Sequence, residues 1–204
     1  MKGCNGRVTG ILLAGGLSRR MGLEKGMIRI GDRYLFQYPL GVLESVCDDI
    51  LISSCRGPLP EISHLTVCDE VKGIGPMGGI HACLRRSTTD YNLVLSYDLP
   101  MVNTGLMKFL LSHRQGHDLV VPAIHPGRPE PLCGVYHRRV ADIFDRMIQE
   151  MQYAVHLTIS KAKGKVILID RSDPFFHPDL FLNIKRKDKI EKLPPKKKKK
   201  NHEE

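Results

Sequence analysis

Short apolar runs alternate with amphipathic stretches along this chain. Val8-Thr9-Gly10-Ile11-Leu12-Leu13-Ala14 is nearly continuous in apolar residues and runs into Gly15-Gly16, the pattern of a buried strand. Asp49 to Ser53, Leu65 to Cys68, Asn92 to Ser96, Leu119 to Ala123, Leu132 to Tyr136 and Val166 to Ile169 repeat that pattern in shorter form. Phe36, Leu40, Leu43 and Val46 fall near helical spacing and predict a helix over Phe36 to Val46. Met77 to Arg86, starting just after Pro76, reads as a second helix. Thr104 to His113 reads as a third, with Thr104 or Asn103 as its N-cap, and Val140 to Met151 as a fourth. Near-continuous apolar strands separated by helices predict an α/β fold whose mostly parallel sheet is covered on both faces. Ligands of such sheets bind outside the carboxyl ends of the strands, so chemistry is to be sought in the residues just after each strand.

Composition narrows this picture. The chain has 204 residues, 42% hydrophobic and 26% charged, which is ordinary for a globular protein with a real core. Residues 1–193 read as one domain and residues 194–204 as a basic, disordered tail. The formal net charge is +9, and ten of the 31 basic residues fall between Asn183 and Glu204 against four acidic ones. The run Lys196 to Lys200 follows Pro194-Pro195 and has no aromatic residue interleaved, so it reads as a solvated terminus rather than a nucleic-acid or membrane surface. No run approaches the length of a transmembrane helix, and the N-terminus lacks the pattern of a secretory signal. The six cysteines (4, 47, 55, 68, 83 and 133) show no C-x-x-C and no zinc-ligand spacing. They read as free thiols buried as small hydrophobes, in a reducing cytoplasm.

Candidate chemistry gathers after the strands. The first strand runs into Gly15-Gly16-Leu17-Ser18-Arg19-Arg20-Met21-Gly22-Leu23-Glu24-Lys25. Glycines let a backbone approach a phosphate chain, and Arg19, Arg20 and Lys25 add the positive charge a polyphosphate requires. The P-loop pattern is absent. Gly73-Ile74-Gly75-Pro76-Met77-Gly78 matches G-x-G-x-x-G by letter, but Glu70, Val71 and Lys72 separate it from the strand and Pro76 interrupts it. It therefore reads as a Gly-Pro loop before a helix, with Gly75, Pro76 and Gly78 able to pack against a flat ring, and not as a dinucleotide fingerprint. Asp69 ends the third strand and can accept hydrogen bonds from such a ring. Asp98 follows the fourth strand, where a carboxylate near phosphates suits Mg²⁺ (magnesium), an ion that takes one or two carboxylates plus phosphate and water. Of the nine histidines only His113 and His117 stand at i, i+4, and Gly116 between them disfavours the helix such a pair needs, which argues against a histidine metal site.

Together, Leu13-Ala14-Gly15-Gly16-x-Ser18-x-Arg20-Met21-Gly22-x-x-Lys25 resembles the signature of the molybdenum cofactor guanylyltransferases, the MobA-type nucleotidyltransferases. Asp69, Gly75-Pro76-Met77-Gly78-Gly79, Asp98-Leu99-Pro100, Glu130-Pro131-Leu132-x-x-x-Tyr136 and Phe181-Leu182-Asn183-Ile184 follow in the family's order, so the resemblance spans about residues 8–190. It implies a nucleotide-diphospho-sugar-transferase-like, Rossmann-like fold of three α/β/α layers. It also implies transfer of GMP from GTP to molybdopterin, with or without its molybdenum, and release of pyrophosphate. By the resemblance, Leu13, Ala14, Gly15, Gly16, Lys25 and Ser53 contact the nucleotide, with Ser53 standing where the family often has Asn. Asp69 reads guanine beside Gly75, Pro76 and Gly78. Arg20, Lys25 and Asp98 form the catalytic set, Asp98 also holds Mg²⁺, and Asn183 lies on the acceptor side. Two departures stand out: Glu24 where the family usually has Asp, and Lys185 where its tail usually has a second Asn. The expected protein is a cytoplasmic monomer or weak homo-oligomer that touches molybdenum-enzyme maturation proteins transiently. The alternatives are a relative using CTP or acting on a sugar phosphate, and a non-catalytic GTP-binding paralogue.

Overall fold

Ile11, Leu12 and Leu13 are all buried because β1 (Val8–Leu13) runs through the middle of the sheet with a helical layer on each side. This arrangement is seen in the computed structural model of the protein, which describes residues 6–15, 28–55, 57 and 59–184. Among the described residues, eight strands form the main sheet. In chain order they are β1, β4 (Asp49–Ser53), β5 (Leu65–Val67), β6 (Tyr91–Ser96), β7 (Leu119–His125), β8 (Arg128–Pro129), β9 (Cys133–His137) and β10 (Gly164–Leu168). A separate two-stranded hairpin pairs β2 (Arg29–Ile30) with β3 (Arg33–Tyr34). The spatial order is β10-β7-β9-β6-β1-β4-β5, with β8 paired to β7. Every neighbouring pair along this order is parallel except those made by β9, which is antiparallel to both β6 and β7. The reason is length. Only the β8 turn and a few residues separate β7 from β9, too short a connection to cross over and return parallel.

Successive side chains of β1 point to opposite layers. Leu12 joins Leu40 and Leu43 of α1 (Gln37–Glu44) and Leu106 and Leu110 of α3 (Thr104–Ser112). Ile11 and Leu13 join Met77 and Ile80 of α2 (Pro76–Arg86) and Phe144 and Met147 of α4 (Val140–Gln149). A side chain at Gly10 would reach 2.7 Å from Ile50 Cδ1 and 3.1 Å from Leu43 Cβ, so α1 packs on β1 only because that position is glycine. On the other face, Arg85 pairs with both Asp142 and Asp145, and His81 Nε2 lies 2.8 Å from Asp145 Oδ1, tying α2 to α4. The described residues end with the one-turn α5 (Thr158–Lys161), the edge strand β10, and a segment that buries Leu180 and Ile184 on the α1–α3 side.

The expected three-layer α/β/α fold is present, with differences at the edges of its elements. Asn103, not Thr104, caps α3: its Oδ1 accepts from the Leu106 N–H (3.1 Å), and its Nδ2 donates to the Phe175 carbonyl (2.8 Å). The β2–β3 hairpin and α5 carry too few residues to leave a periodic signal. One reading is overturned. Cys55 and Cys68 are not free thiols but form a disulfide, their Cα atoms 4.3 Å apart. They meet because β4 and β5 are parallel neighbours whose ends lie side by side, a juxtaposition that 13 residues of sequence separation hide. Cys83 and Cys133 are buried as expected, and Cys47 is partly so. Among the described residues, no helix is long and apolar enough to cross a membrane.

Candidate active site

The sheet order sets the site. Asp98, the segment Leu13 to Gly15, Ser53 and Asp69 follow or end β6, β1, β4 and β5, four adjacent strands. They therefore form one row along the carboxyl edge. Backbone bonds hold the row together beyond the strands: the Tyr97 N–H donates to the Leu13 carbonyl (3.2 Å), the Ala14 N–H to the Ser53 carbonyl (3.0 Å) and the Ser54 N–H to the Val67 carbonyl (2.9 Å). Asp98 and Asp69 are thus separated by three strand spacings, roughly 14 Å. No single ion bridges that span. The two carboxylates stand at opposite ends of the row.

At the Asp69 end, α2 begins with Gly75 as N-cap at φ 68°, ψ −150° and Pro76 in its first turn. That backbone conformation favours glycine, and proline suits a first turn whose N–H has no intrahelical partner. Gly78 and Gly79 then let Asp69 and Ser53 lie close against the helix. A Cβ on Gly78 would sit 3.1 Å from Asp69 Oδ2, and one on Gly79 would collide with Ser53 Oγ. Burial raises the Asp69 carboxyl above its ordinary range, while the Ser53 hydroxyl and the residue's own backbone N–H pull it back down. Asp69 is a half-buried carboxylate with a single side-chain donor, beside a glycine-lined helix start. That leaves it acceptor capacity toward a planar donor.

The Asp98 end is built differently. The Ser96 hydroxyl donates to Asp98 Oδ1 (2.7 Å), and Oδ2 has no partner among the described residues. The Ile184 N–H donates to the Asp98 backbone carbonyl (3.0 Å), so the segment carrying Asn183 returns to this end of the row. Asn183 Oδ1 is buried and without a hydrogen-bond partner among the described residues. Among those residues there is no group of three or more His, Cys, Asp or Glu that could hold a metal by protein ligands alone. A single carboxylate with one oxygen already fixed suits Mg²⁺, which completes its shell from phosphate and water.

Of the residues expected in the site, Leu13, Ala14, Gly15, Ser53, Asp69, Gly75, Pro76, Gly78, Asp98 and Asn183 are brought to this edge. Gly16, Arg20 and Lys25, with Arg19, lie outside the described residues, as does Lys185. Sequence reasoning misses Ser96. Its only signal is a hydroxyl two residues before Asp98 at a strand's end. Tyr136, part of the ordered motif set, donates from its phenol to the Pro131 carbonyl (2.5 Å) and is buried, so it supports the β9 entry rather than facing the row. A cavity of about 770 Å³ opens at the opposite, amino edge of the sheet around Thr9, Asp48, Asp49 and Ser87. None of the row lines it, and it lies at the end where such sheets do not bind ligands.

Residues 10–163 match the family described as MobA-like NTP transferase domain. The chain belongs to that family. It is 32% identical over 191 residues to the molybdenum cofactor guanylyltransferase of Desulfosudis oleivorans, covering 91% of this chain and 93% of that protein. In structure it resembles molybdopterin-guanine dinucleotide biosynthesis protein A from Archaeoglobus fulgidus, with a TM-score of 0.75 at 23% identity over 90% of this chain and 95% of that one. It also resembles 2-C-methyl-D-erythritol 4-phosphate cytidylyltransferase from Thermus thermophilus, with a TM-score of 0.61 at 17% identity over 85% and 95% of the two chains. A guanylyl and a cytidylyl enzyme share this NTP transferase fold, so the fold alone does not choose the base.

Proposed function

We propose that the protein transfers GMP from GTP to molybdopterin, releasing pyrophosphate and forming the guanine dinucleotide form of the molybdenum cofactor. The observation that carries this reading is the row itself. Asp69 and Asp98 are spaced to take the two ends of one nucleotide, in a chain whose relatives are named guanylyltransferases. A carboxylate accepts from guanine N1–H and N2–H₂ as a bidentate pair, and cytosine cannot offer that face. Ser53 holds Asp69 in register for this pairing, and Gly75, Pro76 and Gly78 give the ring a side-chain-free surface.

At the other end, the terminal phosphate of molybdopterin attacks the α-phosphorus of GTP and pyrophosphate leaves in line. The attacking phosphate is already anionic, so the protein's contribution is positioning and charge stabilisation rather than proton transfer. Leu13, Ala14, Gly15 and Gly16 hold the nucleotide against the sheet edge. Lys25 and Arg20 offset the charge that grows on the departing pyrophosphate, and Asn183 lies on the acceptor side. Asp98 would hold Mg²⁺, which when bound lowers the repulsion between the two phosphate groups. GTP and molybdopterin are the substrates, and the cytoplasm is where the protein works.

Purified protein supplied with Mg²⁺, molybdopterin (with and without molybdate) and either GTP or CTP tests this reading. Pyrophosphate released with GTP alone is the expected result. Release with CTP alone would move the protein to the cytidylyl branch and remove the proposed role of Asp69. GTP binding without release would favour a non-catalytic paralogue.

A further inference from the structure

The disulfide sits where it bears on base recognition. Cys55 follows Ser53 by two residues, and Cys68 stands between the end of β5 and Asp69. Among the described residues, β5 is an edge strand of three residues paired on one side only, with β4. Its last backbone tie is the Ser54 N–H on the Val67 carbonyl. Beyond that rung, Asp69 is held to the β4 side by three ties: the disulfide, its own N–H on Cys55 Sγ (3.0 Å) and the Ser53 hydroxyl on its carboxylate. Two of the three pass through the cysteine pair.

Both cysteines are exposed, within reach of an attacking thiolate. The other described cysteines are not so placed. Burial pushes the thiols of Cys47 and Cys83 up to about 12 and that of Cys133 higher still, so they stay protonated and inert near neutral pH. Disulfides in cytoplasmic proteins are usually transient and redox-sensing rather than permanent staples.

We propose that Cys55 and Cys68 form a thiol–disulfide exchange site whose oxidised state holds Asp69 for the base and whose reduced state loosens it, weakening nucleotide binding. This rests on the reading of Asp69 as the base-recognising residue. The reductant is a dithiol. One of its thiolates attacks a sulfur of the pair, the S–S bond breaks and a mixed disulfide forms. The second thiol of the reductant then displaces it. Two electrons and two protons pass to Cys55 and Cys68, and the dithiol leaves as a disulfide; a disulfide oxidant runs the exchange in reverse.

The test measures affinity for fluorescent ribose-labelled GTP and CTP with the full chain, before and after treatment with a small dithiol, alongside the double variant Cys55→Ser, Cys68→Ser. The cross-linked peptide is followed by mass. Loss of about one hydrogen bond's worth of preorganisation predicts GTP binding roughly fivefold weaker after reduction. The double variant should bind like the reduced protein and ignore the reductant. Equal GTP affinity in both states, or a response that persists in the double variant, overturns the proposal and leaves the guanine reading standing. Redox-dependent binding of CTP with no binding of GTP overturns the guanine reading and leaves the exchange site standing. A missing cross-link in the oxidised protein, or no binding of either nucleotide in either state, overturns the proposal.

Discussion

Asp69 and Asp98 hold matching places in the fold. Each is a half-buried carboxylate just past the carboxyl end of a strand, and the two lie three strands apart in one row. Their surroundings differ. Asp69 rests against glycines of a helix start, takes a hydroxyl from Ser53, and is raised by burial. Asp98 has one oxygen fixed by Ser96 two residues away, and its backbone carbonyl receives the returning Asn183-Ile184 segment. In the proposed function, one residue type at equivalent topological positions reads a base at one end and holds an ion at the other. Neighbours decide which, not the carboxylate itself.

Separating the two ends experimentally is direct. The largest effect should come from Asp98→Ala, which is expected to lower turnover by about 10²–10³-fold while leaving GTP binding within a few-fold. Steady-state pyrophosphate release and equilibrium GTP titration read the two quantities separately, and near-normal turnover would remove the metal role. Asp69→Asn replaces one accepting oxygen by a donor facing guanine's own donors. Its kcat/KM for GTP should fall roughly 10- to 100-fold with turnover at saturation largely kept, as expected for leaving buried donors unpaired.

Ser96→Ala frees the second oxygen of Asp98. The expected result is a roughly tenfold weaker affinity for Mg²⁺, the usual cost of losing a group that orients a metal ligand. Titration of Mg²⁺ binding by calorimetry with GTP present checks it, and Ser96→Thr should restore it. Gly79→Ala sets two effects against each other. Alanine adds up to about 1 kcal/mol of helix propensity, but the new methyl collides with Ser53 Oγ, and such overpacking costs about 1–3 kcal/mol. The collision wins, and KM for GTP should rise several-fold with kcat held. The smallest effect is pH. Pairing with guanine requires the charged form of Asp69, whose carboxyl is raised in the folded protein, so GTP affinity should fall on acidification at a higher pH than an ordinary carboxylate would give. Asp69→Asn should abolish that dependence. The same raised carboxyl favours the folded state at low pH and costs stability as pH rises through it.

Much of the fold is legible in the amino-acid sequence. The run Val8 to Ala14 announces the central strand because a strand buried on both faces must be apolar at every position. Asp98 and Asp69 stand out because each closely follows such a run. Gly75-Pro76 marks the helix start through the backbone preferences of those two residues. What stays hidden depends on neighbours distant in sequence. Strand order is not written in the apolar pattern, so periodicity does not show that Asp98, Gly15, Ser53 and Asp69 align in one row. The Cys55–Cys68 bond escapes a reading of spacing for the same reason, since it depends on β4 and β5 being parallel neighbours. Ser96 is one more polar residue at a strand's end until its 2.7 Å bond to Asp98 gives it a role.

The division of labour between the two carboxylates is tested most directly by one ratio, kcat/KM for GTP over that for CTP, measured with molybdopterin as acceptor for the wild-type protein, Asp69→Asn and Asp98→Asn. The ratio should collapse toward unity in Asp69→Asn and stay at the wild-type value in Asp98→Asn, although the latter turns over far more slowly. An unchanged ratio in Asp69→Asn, or one lost equally in both variants, would contradict the assignment of base recognition to one end of the row and phosphate chemistry to the other.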